Sequence, residues 1–189
     1  MAARTEGSIK GSVLLARLAF VQEQRGAAGL DRVLEALPPT DKDLLQTIVL
    51  PSGWYPFDCY ERLDAAIAEE MGEGDSIFKR LGEHSALHNL SATQRRYIKS
   101  RDPHGLLRQA ASIYRLYYDT GERNYERVTD KRAVLRTVGS HTYSRADCLT
   151  VVGWHEKAIL MCGATHAHVT ETKCRARGDT LCEYVCEWD

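Results

Sequence analysis

Glu171-Thr-Lys-Cys174-Arg-Ala-Arg-Gly178-Asp-Thr-Leu-Cys182-Glu-Tyr-Val-Cys186 is the stretch from which the fold of this chain is read. Cys174 and Cys182 stand symmetrically about Gly178, and a carboxylate precedes the first of them by three residues. When residues 170–187 are folded as an antiparallel hairpin centred on Gly178, the two cysteines lie opposite one another. Directly paired residues put their Cβ atoms about 5 Å apart on one face. That suits two thiolates sharing a tetrahedral ion with metal–sulfur bonds of about 2.3 Å, and it suits a cross-strand disulfide as well.

The redox compartment separates these two readings. Met1-Ala-Ala-Arg-Thr-Glu6 leads into a helical pattern with no cleavage motif, and no apolar run approaches about 18 residues. A cytoplasmic protein with no membrane span and with reduced thiols is expected. Five of the six cysteines (148, 162, 174, 182 and 186) crowd the C-terminal quarter, with Cys59 alone upstream. Such a cluster in a reducing compartment favours metal over disulfide. The 189 residues, 43% hydrophobic and 27% charged, are ordinary for one globular domain. With 25 basic residues against 26 acidic ones and no basic stripe, neither nucleic acid nor an anionic membrane is an expected partner.

Upstream of the hairpin the texture is helical as far as Gly121. Residues 1–8 read as a flexible N-terminus and 9–189 as one domain. Ser12 is placed to cap a helix running to Arg25 and stopped by Gly26, with a second apolar face over Leu30–Leu37 ended by Pro38-Pro39. Thr40 and Asp43 read as a capping box. Tyr60, Leu63, Ile67 and Met71 mark a helix closed by Gly72. Another opens at Asp75, and Ser91 with Gln94 suggests a short turn up to Lys99. Asp102-Pro103 starts a helix expected to end at Gly121. Residues 124–128 and 133–138 then read as strands around Asp130-Lys131. Ser144 caps a helix to Cys162, and 164–172 and 181–188 complete the sheet. The expected fold is α+β, a helical part (9–121) packed on a small antiparallel sheet with one inserted helix (122–189).

Cys148 falls in the first turn of the helix capped by Ser144, where backbone N–H groups favour a thiolate. Folding that helix back on the hairpin offers a third sulfur. The fourth ligand stays open on spacing alone. Simple alternation turns Glu171 away from Cys174 unless the strand is bulged or ends early, and His168 and Cys186 compete with it.

The run from Cys148 to Trp188, with Gly-Trp-His in its helix and Glu-x-x-Cys-x-x-x-Gly-Asp-x-x-Cys-x-Tyr after it, resembles a 4-vinyl-reductase-like domain. Such domains occur in bacteriochlorophyll biosynthesis and in aromatic-responsive regulators. The resemblance implies a closed, structural zinc site on Cys148, Glu171, Cys174 and Cys182, a fold shared with haem nitric-oxide-binding domains and Golgi transport-complex subunits, and a homodimer or protein partner. Over its whole length the chain further resembles an uncharacterised myxobacterial paralogous group, which carries no activity to transfer.

The remaining features have plainer readings. Cys186, Tyr184 and Cys162 read as core, and Cys59 as a packed thiol rather than an acylated or reactive one. His166 and His168 alternate on a strand, and no paired-histidine motif supports a catalytic zinc. His141-Thr-Tyr143-Ser144-Arg145 resembles the haem family's Tyr-Ser-Arg motif at the wrong spacing, so haem is a minor alternative. No nucleotide-binding glycine motif and no nucleophile–base pair points to an enzyme. The expected function is a non-enzymatic, zinc-stabilised sensory or binding module for a small apolar or aromatic ligand, or for a protein partner. The alternatives are a scaffold without a ligand and, further off, a tetrapyrrole-related enzyme.

Overall fold

From Cys182 to Trp188 alternate side chains (Cys182, Tyr184, Cys186 and Trp188) are buried and those between them reach the surface. That period of two makes this segment a strand with one face on a core. The computed structural model describes residues 7–92, 97–98 and 102–189, with the backbone alone at 91–92. Within them the architecture is α+β, a helical N-terminal part against a four-stranded antiparallel sheet.

The sheet is built from β3 (Glu122–Thr129), β4 (Arg132–Val138), β5 (Ala167–Lys173) and β6 (Cys182–Trp188), in the order β3-β4-β6-β5. A second sheet pairs β1 (Ser8–Lys10) with β2 (Trp54–Pro56). The helices are α1 (Gly11–Glu35), α2 (Pro39–Gln46), α3 (Phe57–Met71), α4 (Ser76–Ala92), α5 (Pro103–Leu107), α6 (Ala110–Tyr117) and α7 (Arg145–Met161). Between α6 and β3 the chain turns at Gly121, whose φ of 75° favours glycine.

Several local expectations need correction. Ser8 belongs to β1, paired with Pro56, so ordered structure starts before residue 9. Ser12 lies inside α1, whose N-cap is Lys10 without a side-chain bond. Gly26 (φ 68°) does interrupt the helix, but the chain resumes helical geometry at once, producing a kink rather than an end. Thr40 sits in the first turn of α2, which starts at Pro38-Pro39, with proline at the first helical position. Ser91 continues α4, and Gln94 lies outside the described residues. The helix capped by Asp102, whose Oδ1 accepts from Gly105 N at 2.7 Å, breaks after Leu107 and restarts as α6, which ends at Tyr117.

Two cores result. One fills the helical part around Leu14, Phe57, Leu63, Ile67, Ile77 and Leu81. The other lies between α7 and the sheet and contains Leu135, Val151, Ile159, Val169, Tyr184 and four cysteines. α7 joins them. It meets α4 at glycine contacts on both sides: a Cβ at Gly82 would overlap Thr150 O, and one at Gly153 would overlap Lys79 O. The backbones thus approach as only glycine permits, which fixes the depth of α7 against both cores.

Candidate metal centre and adjoining cavity

α7 begins at Ser144, whose Oγ accepts from Asp147 N at 3.1 Å. This cap places Cys148 in the first turn, facing the sheet and 1% exposed. Across from it, β5 and β6 pair as Glu171↔Tyr184 and then Lys173↔Glu183, so Thr172 is an extra residue on β5. The bulge resets the alternation. Val169 and Glu171 point inward before it, and Cys174 points inward after it.

The turn that follows is tightly held. Asp179 Oδ2 accepts from Cys174 N at 2.7 Å, and Cys174 O accepts from the N–H groups of Arg177 (2.9 Å) and Asp179 (3.1 Å). Gly178 takes φ 97°. Cys182 opens β6 on the inward face.

Ligand atoms of Cys148, Glu171, Cys174 and Cys182 all lie within 4.8 Å of one another. The Cys148–Cys182 and Cys174–Cys148 sulfur separations are 3.8 and 3.5 Å. A tetrahedron with metal–sulfur bonds of about 2.3 Å has edges of about 3.8 Å. The chemistry of the set fits one ion of borderline softness. Glu171 Oε1 is buried with no hydrogen-bond partner, and its Oε2 lies 3.3 Å from Arg177 Nη1. An orphaned buried carboxylate oxygen is costly unless something compensates it.

Of the competing ligands, His168 is exposed and sits 3.7 Å from Glu156 Oε1. Cys186 pairs with Val169 farther along the strands. Neither joins the group. Cys59, Cys162 and Cys186 are buried in the cores. Burial pushes the thiols of Cys59 and Cys186 up to about 12, leaving them unreactive.

The Cys148 S–H stabilises a thiolate on Cys182 and, with Arg175 N–H donating at 3.4 Å, holds Cys182 down to about 7. Cys148 is correspondingly pushed up, first by that bond and then by burial. Burial and the Glu171 carboxylate raise Cys174.

The other end of the same helix face borders a cavity of about 50 Å³ between the helical part and the sheet. Its walls come from α1, α3, α4, α5, α6, β3 and α7, with Val13, Leu106, Ile113 and Val151 supplying apolar surface. The aromatic residues of the helical part divide. Tyr60, Tyr114, Tyr117 and Tyr118 line it, while Trp54 is on the surface and Phe57 and Phe78 are core.

The residues not anticipated are the polar ones. Arg17 is 1% exposed, and its Nε donates to Asp64 Oδ1 at 3.1 Å. Its Nη2 donates to Tyr60 Oη (2.7 Å) and Thr150 Oγ1 (3.0 Å). Arg17 Nη1, Asp64 Oδ2 and Trp154 Nε1 are buried without partners. Tyr60 and Tyr118 both donate to Asp147 Oδ1, at 3.1 and 2.7 Å. Buried arginines on an amphipathic helix have no distinctive sequence signature, because the same residue is ordinarily solvated.

His155, also lining the cavity, donates from Nδ1 to Val151 O at 2.8 Å. Burial, and next the charge of Arg123, depress its basicity to about 3. An unfolded histidine titrates near 6.5. The unfolded chain therefore binds the extra proton between these values, and stability is lost as pH falls from about 6.5 toward 3. His155→Phe is expected to flatten this limb of the stability profile by several kcal/mol, read from urea midpoints at pH 7 and pH 4. Equal slopes in the two proteins would show that the ring is protonated in the fold.

No helix among the described residues is long and apolar enough to cross a membrane. No family model matches the chain, and no curated protein matches it by sequence. Solved structures do. An H-NOX protein from S. oneidensis in the Fe(II)NO ligation state superposes with a TM-score of 0.75 at 15% identity, over 95% of this chain and 99% of that one. An Fe(II) unliganded H-NOX protein from K. algicida gives 0.73 at 14%, over 95% and 96%. A structure described under heme redox potential and porphyrin distortion gives 0.70 at 14%, over 94% and 99%. At this identity the likeness is one of fold: the chain has the architecture of H-NOX proteins over 95% of its length.

Proposed function

We propose that this chain is a non-enzymatic sensory or binding module whose sheet and α7 are stapled by a structural zinc ion on Cys148, Glu171, Cys174 and Cys182. The observation that carries the reading is the convergence of three buried sulfurs and one unpartnered carboxylate oxygen within 4.8 Å. Four protein ligands with no position left open are the pattern of structural rather than catalytic zinc. The ion would supply positive charge that keeps the thiols deprotonated. The chain's own part is to hold the donors: Ser144 orients Cys148, the Thr172 bulge turns Glu171, and Asp179 pins Cys174. The ligand-binding half of the proposal rests on the cavity, which admits a small, largely apolar molecule. A volume of about 50 Å³ is well below the ~150 Å³ that takes benzene, so an aromatic ring enters only if side chains move. Free cysteines throughout accord with a reducing, cytoplasmic setting.

Haem, which the H-NOX neighbours carry into consideration, does not fit this cavity as it stands. Ligand pockets for molecules of that size run to about 300–1,000 Å³. A proximal histidine is also needed. His104 is engaged at both ring nitrogens, with Tyr125 Oη (2.8 Å) at Nδ1 and Thr129 O (2.9 Å) at Nε2. It stands outside this cavity, on a wider, polar cleft of about 570 Å³ shared with Arg108, Arg127 and Trp188. His155 is held neutral inside a space a few waters wide.

Elemental analysis of the chain purified without added metal tests the proposal. One zinc per chain is expected, falling away in a Cys174→Ser, Cys182→Ser double variant. A metal-free, folded wild-type protein overturns it. Light scattering on the same sample tests the homodimer that the reading includes.

A further inference from the structure

Arg123 enters β3 at the sheet's edge and is 6% exposed. Its Nε donates to Thr137 Oγ1 at 2.9 Å, and its guanidinium lies over the rings of Tyr114 (4.9 Å) and Tyr184 (5.5 Å). Among the described residues no carboxylate approaches it within 4 Å and its two Nη groups have no hydrogen-bond partner, although it lines the cavity. The neighbouring acids are committed elsewhere. Asp64 is paired with Arg17, and Asp147, which feels the Arg123 charge without contacting it, accepts from two tyrosine hydroxyls. The histidine across the cavity is neutral. A guanidinium fixed by one hydrogen bond and two rings, with both Nη groups free of protein acceptors, is placed to receive an anion. Two further buried donors at the cavity residues, Arg17 Nη1 and Trp154 Nε1, also lack acceptors.

We infer that the cavity is a binding site for a small organic monocarboxylate, with Arg123 as its anion-recognising residue. A guanidinium presents a planar fork that matches a carboxylate two-pronged. Val13, Leu106, Ile113 and Val151 meet the rest of the molecule with apolar surface. The volume of about 50 Å³ takes an acid of about the size of acetate as it stands, and butyrate, with as many heavy atoms as benzene, enters as the apolar side chains move. The inference rests on the ligand-binding half of the function proposed above, names its ligand class, and is independent of the zinc.

The test uses the full zinc-bearing chain, with sodium butyrate as probe, sodium chloride as ionic control and 1-butanol as neutral isostere. Melting temperature and ligand-observed NMR are read against concentration, because a ligand of the native state alone raises stability saturably. Butyrate is expected to bind saturably and raise the melting temperature by several degrees while chloride leaves it unchanged. Arg123→Gln is expected to weaken butyrate at least tenfold, read at a temperature at which the ligand-free variant is folded. If Arg123→Gln fails to fold, Ala110→Leu, which fills the cavity and keeps the arginine, is expected to abolish the effect. Butyrate binding that survives either variant overturns the assignment, as does its absence from wild type. Binding of 1-butanol without butyrate overturns only the anion class and leaves the apolar-ligand reading standing. Binding of neither overturns both.

Discussion

With the proposed zinc in place, strong chelation of this chain, or replacement of Cys174 by serine, is expected to lower its melting temperature by about 10 °C or more. The sheet meets α7 across the four donors, and the same second core holds only a modest set of aliphatic side chains. Binding free energy at a structural zinc site is folding free energy, apparent values in zinc-finger peptides reaching about 10–16 kcal/mol. Here both cores exist apart from the ion, so the loss is smaller, of the order of several kcal/mol. For a chain of this length each kcal/mol is about 2–4 °C. The emptied site also leaves Glu171 Oε1 desolvated beside buried sulfur. Cys59→Ala, which alters a buried thiol far from the site, is the control for generic packing loss. A melt unchanged by strong chelation would remove the staple from the account.

The second large effect concerns the buried ion pair. Asp64 is fully buried and Arg17 nearly so. Burial raises the Asp64 carboxyl despite the pull of Arg17. Asp64→Ala strands the guanidinium in the helical core with only two neutral oxygen acceptors, Tyr60 Oη and Thr150 Oγ1. Breaking such a pair by removing one partner costs about 3–5 kcal/mol, whereas replacing both partners by apolar groups is often near neutral. Urea denaturation of Asp64→Ala and of the Arg17→Met, Asp64→Leu double variant is expected to show this contrast. A single-variant loss under about 1 kcal/mol would mean that water reaches the pair.

Much of the architecture is legible because it rests on periodicity and punctuation. The alternation from Cys182 to Trp188, the cap at Ser144 and the Asp102-Pro103 start each follow from local rules, and the structure has strand or helix there. The β1–β2 pairing was not legible, since three-residue strands are shorter than any period can reveal. The break at Arg108-Gln109 was hidden because the apolar spacing continues across it. At the candidate metal site, hairpin arithmetic brings Cys174 and Cys182 together. Glu171 reaches them only through a bulge, an insertion that a periodic reading cannot locate. Arg17 and Arg123 are illegible for a different reason: burial of a cation depends on tertiary neighbours, α3 and α7 for Arg17 and α6, β4 and β6 for Arg123.

The extra residue at Thr172 has a second effect, on the outside of the molecule. β5 is the last strand in the order β3-β4-β6-β5, and one of its flanks offers backbone donors and acceptors to the surroundings. A regular rim of that kind is a template on which a stranger's strand can zip. Offsetting the backbone by one residue coils the rim and spoils its repeat. The irregularity that directs a carboxylate toward the sulfurs thereby also guards the sheet against unwanted self-assembly.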